Sequence, residues 1–254
     1  MAESWIYRFF GGEDDFYGRA YDWMLDNGRT EREVELLLGL LKPEPGTHIL
    51  DWVGGWGRHA VRLAQRGFKV TLLDFCPEYI EGAKAAAAQA GVEIATVCAD
   101  FRETPASIQA DYAINLFTAG LGYLTEEDDL IALRSLHAAL KPKAKVLIDT
   151  MNLFWIVKNF RERMWEESSN GNARFLTEHR FDFWANRIHA SVILQDLEKK
   201  AERTGEHNER IYSAADLARI MCAAGFKPVE IYGGLDGSPY SFDSKRLVMI
   251  SVRP

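Results

Sequence analysis

Hydrophobic residues in roughly the first 150 positions alternate between helical spacing and short continuous runs. Thr30 and Glu33 have the spacing of a capping box and precede an apolar stripe that ends at Pro43, which predicts a helix. The short apolar runs predict buried strands, at His48–Asp51, Lys69–Asp74, Glu93–Cys98, Asp111–Phe117 and Ala144–Asp149. Helical segments separate these runs, two of them opened by Pro77 and Thr125. Strands that alternate with helices predict βαβ units and a parallel sheet.

This rhythm stops after Asn152. Residues 153–210 are rich in Trp and charge and contain two strand-like runs, Glu178–Trp184 and Arg187–Leu197, separated by a turn at Asn186. A helix capped by Ser213 follows, and then strands at Pro228–Tyr232 and Arg246–Val252. We therefore predict one α/β domain formed by residues 1–152 and 211–254. The segment 153–210 is predicted to be an antiparallel insertion in that domain.

Composition excludes several classes of protein. Hydrophobic residues make up 47% and charged residues 26%, as in ordinary globular domains. A net charge of −7 disfavours a nucleic-acid partner. The three cysteines, Cys76, Cys98 and Cys222, have neither zinc-ligand nor disulfide-framework spacing, so no metal is expected. Neither a signal peptide nor a membrane span is predicted, which favours a cytoplasmic protein without a membrane partner.

A glycine-rich turn carries the most specific chemistry. Asp51 ends the first predicted strand, and Gly54, Gly55 and Gly57 follow before the next helix. In a parallel sheet such turns lie at the carboxyl ends of the strands, where ligands bind. Asp74 ends the second strand, where its carboxylate can accept hydrogen bonds from a ribose diol. Asp100 follows the third strand.

Two cofactors fit this arrangement. The glycines formally match a dinucleotide fingerprint with Asp74 at a suitable distance, which allows an NAD-dependent oxidoreductase. S-adenosyl-L-methionine (SAM) has no pyrophosphate and carries a sulfonium and an ammonium group. Additional acids such as Asp51 complement those cations, so the pattern favours SAM.

Five segments in order resemble the motifs of class I SAM-dependent methyltransferases. They are Asp51–Gly57, Val70–Asp74, Ala99–Arg102, Asn115–Tyr123 and the region from Leu140 to Asp149. The C-terminal segments, Arg210–Ser213 and Ala224–Phe226 to Gly237, are similar to a bacterial small-molecule branch that includes sugar-amine N-methyltransferases. The resemblance covers nearly the whole chain. It implies a Rossmann-like seven-stranded sheet of order 3-2-1-4-5-7-6 with an antiparallel last strand and helices on both faces.

The resemblance also implies roles for individual residues. Asp51 and the backbone of Gly55 and Gly57 would hold the methionine part of SAM, and Asp74 would bind its ribose. Asp100 would bind the adenine amino group. The remaining cofactor contacts would come from residues beside the adenine, along the floor of the site and in an N-terminal lid: Phe75, Phe101, Leu116 and Tyr21. The product of transfer would be S-adenosylhomocysteine.

Val53 departs from the family pattern, which has glycine at this position. A β-branched residue disfavours a positive φ and blocks close approach of a ligand to the backbone. A SAM-binding protein without transfer activity is therefore an alternative to the enzyme.

The acceptor is expected to be a small molecule, methylated on nitrogen, oxygen or carbon, and the protein to be a monomer or homodimer. Phe117, Tyr123 and Phe181 are the candidate acceptor contacts, since the insertion follows the fifth strand and would cover that side of the sheet. Alternation along Glu178–Trp184 places Phe181 and Phe183 together, and this pair is expected to face the core. His179 would then point inward. A hydroxyl or carbon acceptor would need a general base, for which His179 and a tyrosine such as Tyr21 are the candidates.

Overall fold

Seven strands of the chain form a central sheet. The computed structural model describes residues 5–11, 27–168 and 171–254. The strands of this sheet are β1 (His48–Trp52), β2 (Lys69–Asp74), β3 (Ala95–Cys98), β4 (Ala110–Asn115), β5 (Leu140–Met151), β10 (Lys227–Tyr232) and β11 (Arg246–Val252). Their spatial order is β3-β2-β1-β4-β5-β11-β10. The first five are parallel, and β11 is antiparallel to both of its neighbours. The predicted order, 3-2-1-4-5-7-6 in the numbering of this sheet, is confirmed.

The described helices are α1 (Trp5–Phe10), α2 (Asn27–Leu41), α3 (Arg58–Gln65), α4 (Pro77–Gln89), α5 (Glu126–Ala138), α6 (Leu153–Lys158) and α7 (Ala214–Ala223). Most are short because turn residues limit them. Pro77 lies in the first turn of α4, and the Thr125 hydroxyl accepts a hydrogen bond from the Asp128 amide at the start of α5. Ser213 caps α7 in the same way. None of the helices in the described ranges is long and apolar enough to cross a membrane.

The predicted capping box at Thr30 and Glu33 is wrong. Helix α2 already begins at Asn27, so Thr30 lies inside it and is buried. Its hydroxyl accepts a hydrogen bond from Arg58, and the Glu33 carboxylate binds Arg58 and His59. These side chains join α2 to α3 instead of capping a helix.

Two apolar layers cover the faces of the central sheet. Along β1, Leu50 and Trp52 belong to one layer, and Ile49 belongs to the other. This is the alternation expected of a strand that is buried on both faces. The buried sheet holds the carboxyl ends of its strands in fixed positions, and the polar side chains described below lie there.

A second, antiparallel sheet follows β5. It contains β6 (Arg163–Glu167), β7 (Ala173–Asp182), β8 (Arg187–Asp196) and β9 (Ala201–Arg210), in that order. The turn between β7 and β8 includes Asn186 at φ 49°, so the predicted hairpin is confirmed. Only two strand-like runs were predicted here, and β6 and β9 were missed. Strand β9 has hardly any apolar residues, so hydrophobic alternation could not indicate it.

The small sheet packs one face toward the rest of the molecule. Phe9 of α1 packs on Phe175 and Val192, and Ile188 packs with Leu153 and Ile211. The prediction that Phe183 faces the core is wrong, because β7 ends at Asp182 and the side chain of Phe183 is 80% exposed in the turn.

Candidate functional site

Asp51, at the carboxyl end of β1, is the most unusual polar group of the site. Its side chain is buried, and nothing in the described part of the chain donates a hydrogen bond to its Oδ2 atom. Burial raises its pKa to about 7, although the positive charge of Arg58 opposes the shift. A β-carbon on Gly54 would lie 2.6 Å from the Asp51 carboxyl carbon, so only glycine fits there. The carboxylate is thus enclosed but lacks a partner for one oxygen.

Asp74 lies beside Asp51, at the end of β2. Its carboxylate accepts hydrogen bonds from the amides of Gly55 (2.9 Å) and Cys76 (3.0 Å), which fix its orientation. Burial raises its pKa to about 6 despite these two bonds. Each carboxylate oxygen has a second lone pair. The group can therefore still accept hydrogen bonds from two hydroxyls of a ligand.

The glycine turn between Asp51 and α3 has the conformation that its sequence predicts. Gly55 and Gly57 have positive φ values of 56° and 73°. A β-carbon on Gly57 would lie 2.8 Å from that of Ala83, so this glycine also allows α3 and α4 to approach. Val53 likewise has a positive φ, of 62°, and its amide and that of Gly54 both donate to the carbonyl of Leu73. The turn thus forms in spite of the valine.

Asp100 and the two phenylalanines lie at the β3 side of the site. The Asp100 carboxylate caps the turn at Phe101–Glu103 and binds the Arg102 guanidinium at 2.6 Å, and Arg102 also reaches Asp128. Phe101 is buried against Trp52, with ring centroids 5.6 Å apart, whereas Phe75 is half-buried. Their predicted contacts with adenine remain predictions.

The floor of the site follows β4. Asn115 is buried, and its amide nitrogen donates to the carbonyls of Trp52 and Ala119, which ties β1 to the loop after β4. Leu116 is also buried. Phe117 and Thr118 then have φ values of 67° and 63°, a conformation that is costly for side-chain-bearing residues.

Three guanidinium groups surround the ring of Phe117. Those of Arg29, Arg58 and Arg246 lie 4.8, 5.6 and 5.7 Å from its centroid. Arg246 also binds the Asp149 carboxylate with two nitrogens, and Asp149 accepts the Phe117 amide. These cation–π contacts and ion pairs hold Phe117 in its strained conformation. The arginines come from distant parts of the chain, so no local motif could have shown that they meet.

Glu33 holds two of these arginines. It binds Arg29 at 2.8 Å and Arg58 at 2.5 Å, and it also accepts from the His59 ring at 2.9 Å. Burial alone would raise the pKa of Glu33, but the hydrogen bond to His59 and the nearby arginines lower it to about 2. The carboxylate is therefore ionised at all physiological pH values, and it positions the positive charges beside Phe117.

The remaining predicted site residues in the described part of the chain are Tyr123, Phe181 and His179. Tyr123 stacks on Phe10 of α1, with ring centroids 5.3 Å apart. Phe181 and His179 are half-buried and share one face of β7, as predicted. The His179 ring packs near Phe160, and its Nδ1 atom lies 3.1 Å from the Arg161 carbonyl oxygen. Burial lowers the pKa of His179. Tyr21 and the rest of the predicted lid lie outside the described residues.

The chain is similar to known methyltransferases in sequence and in structure. Residues 49–143 match the family model of a methyltransferase domain. The structure is similar to a SAM-dependent methyltransferase from Clostridium acetobutylicum (TM-score 0.78, 13% identity, 93% of this chain and 97% of that chain). It is also similar to an amino pentose methyltransferase from Micromonospora echinaspora (TM-score 0.67, 17% identity, 94% and 96%). The chain therefore has the class I SAM-dependent methyltransferase fold, as its motifs predicted, and its residues 49–143 are similar to a methyltransferase domain.

Two sequence relatives fit the same class. A glycine/sarcosine N-methyltransferase of Parasynechococcus marenigrum is 29% identical over 140 residues, 54% of this chain and 49% of that protein. The chain thus spans about half the length of this relative. YqeM of Bacillus subtilis, provisionally named a methyltransferase, is 28% identical over 233 residues, 91% of this chain and 93% of that protein.

Proposed function

We propose that the protein transfers a methyl group from SAM to a small-molecule acceptor. The observation that carries the proposal is the unpartnered Oδ2 atom of buried Asp51, beside a glycine turn and a second acid, Asp74. A cation is the partner that such a carboxylate lacks, and SAM has an ammonium group. The backbone hydrogen bonds of Asp74 leave lone pairs for the ribose hydroxyls. Asp51 supports SAM over a dinucleotide, whose pyrophosphate is an anion, whereas a ribose-binding Asp74 fits either cofactor.

The methyl group of bound SAM is already activated for transfer. The protein then has to position the acceptor and exclude water. Phe117, Tyr123 and Phe181 are the candidate acceptor contacts, with Phe117 held by the arginines around it. The named relatives methylate nitrogen in glycine and sarcosine or act on an amino sugar, which supports a nitrogen acceptor here.

Cofactor binding is tested by isothermal titration with SAM, S-adenosylhomocysteine and NAD. We expect the first two to bind and NAD not to bind.

D51N should weaken SAM binding about 10- to 100-fold, since a charge-assisted bond to a buried group is lost. The affinity of the wild type for SAM should rise up to about tenfold between pH 6 and 8, because Asp51 ionises over this range. The affinity of D51N for SAM should rise much less. D111N, at the opposite edge of the sheet, is the control and should bind SAM normally. Binding of NAD alone would favour an oxidoreductase.

Turnover is tested separately, with radiolabelled SAM and a pool of small metabolites. Incorporation of label into the pool supports an enzyme. Tight SAM binding without transfer to any metabolite would favour the alternative, a SAM-binding protein without activity.

The acceptor pocket is tested on the inserted segment. Replacement of residues 153–210 by a short linker should abolish methyl transfer and leave the affinity for S-adenosylhomocysteine within about threefold, if the pocket includes this segment and the cofactor site does not. F181A should lower kcat/KM about tenfold, because its ring is half-buried on the inward face. F183A is the matched control, since that side chain is exposed, and it should be neutral. Methyl transfer by the deletion variant, or equal effects of the two substitutions, would refute this pocket.

A further inference from the structure

The inward face of the small sheet carries a carboxylate among apolar neighbours. Side chains on one face of β8, such as Ile188, Ala190 and Val192, are buried. In β9 the residues in register with these three are Glu209, His207 and Gly205. The Glu209 side chain therefore points to the same side as Ile188, toward the central sheet, and is buried with it.

Glu209 lies where the small sheet meets the ends of β4 and β5. Its register partner Ile188 packs with Leu153 and Ile211, directly beyond β5. The next residue, Arg210, donates its amide to the carbonyl of Gly122, in the loop that follows β4. An acceptor has to reach the methyl group from this side, because the carboxyl ends of β1 and β2 form the cofactor site.

Glu209 is 9% exposed, and no group in the described part of the chain donates a hydrogen bond to its carboxylate. Burial raises its pKa to about 7, against the attraction of Arg246 and Arg187. Both arginines already donate hydrogen bonds to other groups. Arg246 binds the Asp149 carboxylate, and Arg187 donates to the Asn208 side chain and to the carbonyl of Leu124. A buried carboxylate without a direct partner is costly, and a bound cation would supply the partner.

Other titratable groups nearby are less suited to accept a proton. His207, on the same face of β9, packs against Phe9, and burial lowers its pKa to about 4. His179 pairs with Ala190, which pairs in turn with His207. Burial lowers the pKa of His179, and its Nδ1 atom lies within hydrogen-bond distance of the Arg161 carbonyl oxygen. Both histidines are thus neutral near pH 7, and the charged side chains that act on Glu209 are Arg246 and Arg187.

We propose that Glu209 binds a protonated amine of the acceptor and takes one proton from it before methyl transfer. This inference rests on the proposed function and names its substrate class, a small basic amine. The proton passes from the ammonium to the carboxylate, which leaves a neutral amine and a carboxylic acid. The freed lone pair forms the bond from nitrogen to the methyl carbon as the bond from that carbon to sulfur breaks, and S-adenosylhomocysteine leaves as a neutral thioether. Glu209 returns its proton to solvent when the methylated ammonium product departs.

The test compares two probes of similar shape, benzylamine and benzyl alcohol, by titration into the full-length protein saturated with S-adenosylhomocysteine. We expect benzylamine to bind at least tenfold more tightly than benzyl alcohol to the wild type. E209Q should abolish this preference, and E209D should retain part of it. The control is E206Q, an exposed position on the same strand, which should retain all of it. The wild-type preference should also shrink as the pH falls from 8 to 6, and in E209Q it should not change.

Each outcome has one interpretation. No preference for benzylamine in the wild type, or a full preference in E209Q, would overturn the role of Glu209. Failure of S-adenosylhomocysteine to bind would instead overturn the proposed function. Unfolding of E209Q does not block the test, because the wild-type preference, its pH dependence and E209D remain measurable.

Discussion

Val53 has a backbone conformation that β-branched residues rarely adopt, with a φ of 62°. A non-glycine residue in this region costs of order 1–3 kcal/mol. The turn forms because the amides of Val53 and Gly54 both bond to Leu73 and because the Val53 methyl groups pack beside Gly120. The valine thus adds strain to the turn, and packing offsets part of that strain.

This balance predicts an unusual order of stability among variants. V53A keeps the strain and loses the packing, so we expect a loss of about 1–2 kcal/mol. V53G loses the packing but also the strain, and it should be about 1 kcal/mol more stable than V53A, the reverse of the usual order. Urea unfolding of the three proteins measures this difference.

The same variants report on the cofactor. Because the turn already has its bonded conformation with valine, V53G should change SAM affinity by no more than about threefold. A gain above tenfold would mean that Val53 impairs the cofactor site, and a V53G less stable than V53A would contradict the strain argument.

Gly122 joins two elements at the edge of the site, the loop after β4 and the end of β9. It has a φ of 90°, and a β-carbon there would lie 2.3 Å from the carbonyl oxygen of Arg210. Its own carbonyl accepts the Arg210 amide, and its amide donates to buried Asp129. A backbone clash at this point cannot be relieved by rotation of a side chain, so the two elements would have to separate.

We therefore expect G122A to destabilise the protein by about 2–4 kcal/mol and to lower methyl transfer more than S-adenosylhomocysteine affinity. The matched control is G67A, with a φ of 84° and no atom within 4 Å of the added carbon. It should cost only about 1 kcal/mol of backbone strain. Thermal unfolding and titration of both variants measure the contrast, and equal losses would show that the Arg210 contact is unimportant.

At the scale of the whole molecule, buried acids make stability depend on pH. Burial raises the pKa of Asp51 and Glu209 to about 7 and that of Asp74 and Asp129 to about 6. An acid with a raised folded-state pKa stabilises the protein fully below its unfolded pKa, and this contribution is lost as the pH rises through the folded pKa. Below about pH 6.5 the histidines with lowered pKa values, such as His59 and His207, act in the opposite direction. They take up protons more readily in the unfolded chain, so their contribution to stability falls as the pH falls. The acids therefore dominate only above that pH.

The protein without cofactor should thus lose about 1–2 kcal/mol of stability between pH 6.5 and 8, a fall in Tm of about 2–8 °C. D51N and E209Q should each remove about half of this slope. Differential scanning calorimetry at several pH values tests this, with D111N as the control. A Tm that rises over the same range would refute the assignment of these two acids as the dominant titrating groups.

The sequence by itself determined the central sheet and the edge of that sheet at which the predicted site lies. Turn residues and buried apolar runs act locally, so β1 to β5, the glycine turn and the acids Asp51 and Asp74 could be located without a structure. The strand order followed from the resemblance to a family. Local signals failed where a polar residue faces inward, because alternation then gives no sign of a strand. This explains why β9 and Glu209 were missed. Phe183 was placed on the wrong side for another reason, since β7 ends at Asp182 and the alternation of a strand does not extend to the next residue.

Tertiary structure alone decided which distant side chains meet. Arg29, Arg58 and Arg246 come from α2, α3 and β11, and only the folding of the sheet brings them to Phe117. Thr30 and Glu33 show the same limit, since their spacing fits a helix cap but their partners are Arg58 and His59. A charged side chain binds whichever partner the packed elements bring near, and long-range contact of this kind leaves no pattern in neighbouring residues.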